Sequence, residues 1–365
     1  MEHRPVRVGL IGAGGIAGGR HMPTMRELDG RLEVVAVADV DADRARAFAE
    51  TWQIPHSYGS VSELLAVEEF DLAVVCTPPG AHRDAIVACL QAGVHVWCEK
   101  PPVLSLAEYD EIAALERDGG PYASYVFQHR FGSGAARLRE HIAAGTLGRP
   151  LVAVCHTLWY RGHSYYEPEW RGRWTSEGGG PTMGHGIHQF DLALSLLGEW
   201  DEIRALTGTL DRDIETEDVS MAAVRLESGA MLSVVNSILS PRETSYLRFD
   251  FTDATVELTH LYGYDDSSWR WTPASHVAED VAASWPPSEN IASSHAAQLR
   301  VLLDAIEAGV RPPSSGVDGR RSLEFVAGLY ASAFTGRPVH RADLTPDNPF
   351  YHALNGASVT EEAHA

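Results

Sequence analysis

One side chain stands apart in its chemistry. Of 29 basic residues, 28 are arginine and a single one, Lys100, is lysine. Arginine can replace a surface lysine at little cost, so coding bias explains the scarcity but not the survivor. An amine differs from a guanidinium in its compact, mobile head and in a pKa that surroundings can shift. Lys100 lies in Trp97-Cys98-Glu99-Lys100-Pro101-Pro102, directly after an apolar run, with two prolines fixing the backbone behind it. A second feature is Gly12-Ala13-Gly14-Gly15-Ile16-Ala17, which fits the G-x-G-x-x-G/A dinucleotide fingerprint. Gly12 permits the tight turn, Gly14 lets a pyrophosphate approach the backbone, and Ala17 allows close helix–strand packing. The helix that opens at Gly15 and Ile16 presents N–H groups to the phosphates. Asp39 follows Ala17 by 22 residues, where a carboxylate should meet the adenosine ribose hydroxyls. No arginine is adjacent to it, so a 2′-phosphate would meet an uncompensated carboxylate; this predicts NAD over NADP. Thr77 and Pro78, after another apolar run, would line the nicotinamide–ribose region.

These residues need a sheet whose carboxyl edge collects them. Residues 6–11, 32–38, 71–76, 94–98 and 122–128 read as strands of nearly continuous apolar character, as strands covered on both faces must be. Helical patterns at 15–28, 42–51, 81–92 and 105–118 alternate with them, which predicts a parallel, doubly wound sheet. Lys100 then falls at the carboxyl edge, where ligands of such sheets bind. The pattern changes after about residue 125. Segments 152–158, 202–210, 220–226, 230–238, 246–251 and 254–258 are strands without intervening helices, which predicts a large, mostly antiparallel sheet in a second domain. Helices are expected at 135–144, 188–197, 296–308 and 322–334, and a long loop or lid over 263–290. The expected division is a nucleotide-binding domain over 1–125, an α/β substrate and oligomerisation domain over 126–340, and a tail over 341–365.

Residues 159–174 hold six aromatics in sixteen positions, against 8% overall. Trp159, Tyr160, Tyr166 and Trp170 alternate irregularly with Arg161 and Arg171. Such faces suit a carbohydrate, whose C–H surfaces stack while its hydroxyls hydrogen-bond. The arginines could instead take a carboxylate or phosphate. Arg130 leads the chain from the first domain toward this segment.

Composition excludes several functions. With 44% hydrophobic and 22% charged residues the chain is globular, and a net charge of −21 disfavours nucleic acid and anionic membrane surfaces. No apolar run approaches a membrane span, and the start, Met1-Glu2-His3-Arg4-Pro5, lacks a signal-peptide pattern. Four cysteines without CxxC spacing read as buried thiols of a cytoplasmic protein.

Gly12–Ala17, Asp39, Thr77-Pro78-Pro79 with His82, and Glu99-Lys100-Pro101 resemble the Gfo/Idh/MocA oxidoreductases. The likeness continues through Gly178-Gly179-Gly180, Gly186-Ile187-His188-Gln189-Phe190-Asp191 and 316–321. The resemblance implies a Rossmann domain followed by an α/β domain whose open sheet joins subunits into a homodimer or homotetramer. It implies hydride transfer between NAD and a carbinol or carbonyl of a sugar, cyclitol or related polyol. It places His82 and Glu99 with Lys100 at the cofactor, Lys100 against the reacting hydroxyl, His188 as acid/base, and His185 beside it. Proton removal as hydride departs needs a base poised near neutrality, which histidine meets, and a nearby ammonium lowers the hydroxyl's pKa. The chain departs from the family at Gly184, where many members carry an aspartate that can orient the imidazole. His185, His188 and Asp191 share a helix face, but no thiolate or glutamate joins them at ligand spacing, so no metal is expected. Two alternatives stay open: a redox-neutral glycoside-processing enzyme that uses NAD transiently, and a non-catalytic NAD-binding regulator.

Overall fold

The computed structural model describes residues 4–357, which form two compact units. The first comprises the chain up to Val103, Glu108–Val126 and Gln298–Arg320; the second comprises Leu104–Ala107, Phe127–Ala297 and the chain from Arg321. The first is therefore not continuous in sequence.

The first unit carries six strands: β1 (Val6–Ile11), β2 (Leu32–Ala38), β3 (His56–Tyr58), β4 (Leu72–Val75), β5 (His95–Cys98) and β6 (Ala123–Tyr125). Their order is β3-β2-β1-β4-β5-β6, all parallel, as the apolar runs predict. β4 is buried at all four positions, and Trp97 on β5 is fully buried. Helices α1 (Met22–Glu27), α2 (Ala42–Trp52), α3 (Val61–Val67), α4 (His82–Gln91) and α5 (Leu106–Ala113) fall between the strands. β1 and β4 flank the point where the strand order reverses. Ile11 pairs with Val75, and Val75 with Cys98. The loops that begin at Gly12, Cys76 and Glu99 thus leave the sheet side by side at its carboxyl edge, where such sheets bind ligands.

The second unit begins with α6 (Ser133–Ala144) and β7 (Pro150–Tyr160), then the short α7 (Trp174–Glu177) and α8 (Ile187–Leu197). β8 (Trp200–Gly208), β9 (Val219–Leu226), β10 (Met231–Ser237), β11 (Leu239–Phe251), β12 (Ala254–His260) and β13 (Trp269–Pro273) follow. With β14 (Val339–His340) they form one eight-stranded sheet, ordered β13-β12-β11-β7-β10-β9-β8-β14. Every pair is antiparallel except β10 with β7. α8 packs on β7 and β11.

The expected loop over 263–290 is instead structured. β13 extends the sheet edge antiparallel to β12, a helix, α9 (Glu279–Ala283), follows, and Trp285 is fully buried with its carbonyl accepting from His141 and Arg137. A Cβ at Gly134 would overlap the Trp269 indole, so α6 lies against β13 only with glycine there. Three further helices follow: α10 (His295–Ala308), α11 (Gly316–Thr335) and the short α12 (Pro349–His352). Leu299, Leu302 and Leu303 of α10 belong to the first unit's core, with Val8, Val74 and Val126. In the expected tail, Phe350, Tyr351 and Leu354 are buried; residues 358–365 lie outside the described residues.

Candidate functional site

In the first unit, Gly12 has φ +95°, and a Cβ there would stand 2.9 Å from the Cys76 carbonyl carbon and 3.0 Å from the Thr77 nitrogen. Only glycine tolerates both the left-handed backbone and this approach. Its N–H donates to the Ala38 carbonyl at 2.8 Å, tying β1 to β2. Nothing lies within 4 Å of a Cβ built on Gly14 or Gly15, so the turn stays open above its N–H groups, as a pyrophosphate requires. The chain then makes one π-helical turn, Ala17–His21, before α1. Ala17 is fully buried and Ile16 half-buried. Thr77 Oγ1 is buried without a hydrogen-bond partner among the described residues, which fits a polar group of a bound cofactor beside Pro78.

Asp39 is buried at the end of β2 and accepts from Ala13 N–H at 2.8 Å and Asp41 N–H at 2.9 Å. It also accepts from Arg44 Nε at 3.0 Å and Nη2 at 2.5 Å. Burial alone would raise the Asp39 pKa, but Arg44 and the two N–H donors outweigh it and hold the carboxyl below its ordinary range. The expectation that no cation accompanies Asp39 is therefore corrected. Adjacency in sequence missed Arg44 because the first turn of α2 brings it back.

Two residues assigned to the cofactor by resemblance also join loops of the protein. His82 is fully buried; its Nδ1 lies 2.9 Å from the Pro101 carbonyl oxygen and its Nε2 2.9 Å from that of Thr77. It lies between the loop after β4 and the loop after β5, and burial lowers its pKa. Glu99 is buried too, with Oε1 2.8 Å from His21 Nε2 and Oε2 accepting the Lys100 N–H at 3.1 Å. It braces Lys100 against the end of the π-helical turn. His21, which sequence reasoning did not single out, is the other half of that brace. Lys100 itself is half-buried at the carboxyl end of β5.

In the second unit, a π-helical turn, Thr182–Gly186, runs into α8. Buried Glu217 holds it in place, accepting from Gly180 N–H at 2.9 Å, Thr182 N–H at 3.0 Å and the Tyr330 hydroxyl at 2.9 Å. Burial raises the Glu217 pKa against these bonds. His185 and His188 are thereby carried on consecutive turns. The His188 ring stacks on that of His129 at 5.1 Å and 29°, and meets Tyr262 edge-on at 5.6 Å. His260 Nε2 lies 3.1 Å from Gln189 Oε1, and its ring packs edge-on against His129 at 5.2 Å. Burial, then the neighbouring His260, hold His129 well below the ordinary histidine pKa. Sequence reasoning missed His260 and Tyr262 here, because β12 and the loop after it join α8 only through the fold. His129 carried a signal, standing beside Arg130.

Arg130 is corrected as a substrate contact. It is buried, and its Nε and Nη2 donate to Asp191 at 2.6 and 2.5 Å while Ser322 donates to the same carboxylate at 2.5 Å. Asp191 thus accepts three hydrogen bonds and pairs with a buried cation. Trp159 is also buried, its indole N–H donating to Ser245 at 3.0 Å. Its ring lies 5.3 Å from that of His185, and Tyr165 flanks the same histidine at 5.9 Å. Arg171 lies 3.8 Å over Tyr165 and 4.3 Å over Trp170; Arg161 lies 5.0 Å over Trp159. Tyr160 and Trp170 are exposed, and the Tyr166 ring packs edge-on against Tyr165. A Cβ on Gly184 would meet nothing within 4 Å.

The first unit, with an open glycine turn at the switch point of a parallel sheet and a carboxylate ending β2, defines a dinucleotide-binding protein of the Rossmann class. Residues 6–125 match the oxidoreductase family with an NAD-binding Rossmann fold, and residues 135–259 match the GFO/IDH/MocA C-terminal domain. The chain belongs to the Gfo/Idh/MocA oxidoreductases. It is similar to the D-glucoside 3-dehydrogenase of Escherichia coli (strain K12), at 27% identity over 93% of this chain and 98% of that protein. It is likewise similar to the myo-inositol 2-dehydrogenase of Thermotoga maritima, at 25% identity over 87% and 93%. Among solved structures, the WlbA dehydrogenase from Bordetella pertussis in complex with NADH and UDP-GlcNAcA superimposes with a TM-score of 0.83 at 25% identity. That match covers 93% of this chain and 98% of the other. The chain is an NAD-dependent oxidoreductase.

Proposed function

We propose that the chain oxidises a carbinol of a neutral sugar, cyclitol or polyol, or reduces the corresponding carbonyl. Gly12, Gly14, Gly15, Ile16 and Ala17 form the pyrophosphate turn, Asp39 takes the ribose hydroxyls, and Thr77 and Pro78 border the nicotinamide side. The bound nicotinamide supplies hydride transfer. Lys100 polarises the reacting hydroxyl through its ammonium charge. His188 takes and returns the hydroxyl proton, oriented by the His129 ring in place of the carboxylate that Gly184 lacks. His185, Tyr160, Tyr166 and Trp170 give the substrate polar and stacking contacts.

The observation that carries the substrate class is the charge balance of the aromatic segment. Each of its arginines faces a carboxylate: Arg161 to Glu243 at 3.0 Å, Arg171 to Glu177 at 3.6 Å, and Arg173 to Glu215 at 3.4 Å. A substrate carboxylate or phosphate would have to break these pairs in a chain of net charge −21. A polyol would use the stacked rings and the rim of donors as they stand. Arg161 and Arg171 therefore serve as stacking partners for the rings. The test is an absorbance screen at 340 nm with NAD over neutral sugars and polyols, matched uronates and nucleotide sugars. Turnover confined to the acidic substrates would overturn the reading.

Three further expectations join it. The outer face of the eight-stranded sheet pairs two copies of the chain. Nucleic acid is not a partner of so acidic a surface. The cytoplasm is the compartment, in keeping with four buried cysteine thiols; no helix among the described residues is long and apolar enough to cross a membrane.

A further inference from the structure

The inner face of the second unit's sheet changes character beneath the π-helical turn. Across β7, β10 and β9 the register aligns Cys155, Val234 and Ala222, an apolar row. The next row on the same face is Thr157, Asn236 and Ser220, all fully buried. Buried polar side chains cost stability unless something engages them, so this row must answer to what lies over it. The turn Thr182–Gly186 packs on β7 and β10. Ser220 Oγ accepts from Thr182 Oγ1 at 2.7 Å and from Asn236 Nδ2 at 3.0 Å. The second of these bonds fixes the way the carboxamide faces. Its Oδ1 accepts from no donor among the described residues and meets the backbone of the turn instead. A Cβ built on Gly186 would stand 2.0 Å from Asn236 Oδ1 and 2.4 Å from its Cγ, and the three nearest heavy atoms all belong to Asn236. Gly186 has φ −62° and ψ −27°, a helical conformation open to every residue and one for which glycine is a poor choice. Backbone geometry therefore does not ask for glycine at 186; the close approach to Asn236 does. Gly186 follows His185 directly and comes two residues before His188.

We propose that Asn236 is a positioning residue for the acid/base: its carboxamide, held by Ser220, is the seat on which the Gly186 backbone rests, and that seat sets the height of His185 and His188 above the sheet. π-Helical turns are rare and occur mostly as single-turn bulges. This one is held at its start by Glu217 and at its end by Asn236. The proposal rests on reading His188 as the proton acceptor.

Gly186→Ala, Asn236→Ser and the two together, each in the full chain, test it. Gly186→Ala drives a methyl into the carboxamide, and Asn236→Ser clears that space. The position of His188 is read by NMR of isotope-labelled histidine in the NADH-bound chain, its resonance identified by its loss in His188→Ala. That resonance senses the rings of His129 and Tyr262 around it. Both single variants displace it, and the double variant brings it back from its place in Gly186→Ala toward wild type. Turnover of the sugar or polyol found in the absorbance screen follows the resonance. The kcat falls on the order of 10²-fold in Gly186→Ala and about 10-fold in Asn236→Ser, and the double variant recovers ~10-fold of the larger loss. KM moves less than kcat, and NADH binding, a property of the first unit, is unchanged. An undisplaced resonance in Asn236→Ser overturns the proposal, and it decides alone if Gly186→Ala does not fold. A Gly186→Ala chain that matches wild type, or a double variant that recovers neither resonance nor turnover, overturns it as well. A resonance that moves and returns while kcat stays level keeps Asn236 as the seat and removes His188 from the proton chemistry.

Discussion

Lys100 owes its place to a chain of buried side chains around it. Glu99 fixes its N–H, His21 fixes Glu99, and His82 holds the carbonyl of the following proline. Arginine at 100 would keep the charge but not the compact head or the adjustable pKa. Lys100→Arg is therefore expected to lower turnover by on the order of 10²-fold or more while NADH still binds; near-normal turnover with unaltered binding removes Lys100 from the chemistry. The histidine cluster of the second unit makes a different prediction. Burial holds His260 down to about 4 from an ordinary 6.5. A histidine with a lowered folded-state pKa contributes its full stability above 6.5. It loses that contribution as the pH falls from 6.5 toward about 4, where the unfolded chain takes up a proton that the folded chain refuses. For His260 that loss is of order 3 kcal/mol. His260→Phe keeps the ring and cannot protonate, so its unfolding free energy should fall less than wild type between pH 7.5 and 4.5. Parallel curves would mean that the acid sensitivity lies elsewhere.

The π-helical turn at Thr182–Gly186 sets the direction of α8, and Gly184 lies in it, four residues before His188. Its backbone leaves a Cβ in open space, so Gly184→Asp should fold and place a carboxylate one turn ahead of the imidazole. If His188 is the proton acceptor, the neutral limb of the pH–rate profile should move to higher pH in this variant. A limb that stays put would point to another base. The sequence could reveal that a carboxylate is missing at 184, but not the answer to it. The His129 ring that stacks on His188 comes from the short turn Gln128–Phe131, 59 positions earlier. Element by element the same limit recurs. β1 and β2 match their apolar runs because both faces are covered and a glycine or aspartate stops them. β3 has three residues, none buried, and so carried no apolar run to read. β13 is an edge strand of only five residues ending in proline, so its Trp-Arg-Trp-Thr alternation was too short to mark it. α10 was legible as a helix, but local periodicity does not say which core Leu299 and Leu303 will join. Arg44 escaped for the same reason, since a helix turn rather than sequence adjacency brings it onto Asp39.

At the scale of the whole molecule, the net charge of −21 makes most encounters between copies repulsive. Association therefore needs a surface where that charge is locally cancelled and apolar area is on offer. The outer face of the second unit's sheet meets both conditions. Val152, Met231, Met221 and Leu206 are 49%, 58%, 52% and 73% exposed. They sit on four neighbouring strands, with Val152 opposite Met231 and Met221 opposite Leu206. The carboxylate at their border, Glu202, is matched by Arg204 at 2.8 Å and Arg225 at 3.3 Å. Two exposed apolar pairs on one face of the sheet, set apart by Arg225, Ala223 and Ser233 and bordered by balanced charge, offer area that a second copy can bury. Light scattering should find a dimer or tetramer at micromolar concentration. Met221→Lys with Met231→Lys should dissociate it while leaving the circular dichroism spectrum unchanged, since both side chains point away from the core. Raising the salt concentration should strengthen the wild-type assembly, because it screens the long-range repulsion without weakening the apolar contact. A wild-type monomer at all concentrations, or an oligomer indifferent to the two lysines, would assign this face to another partner.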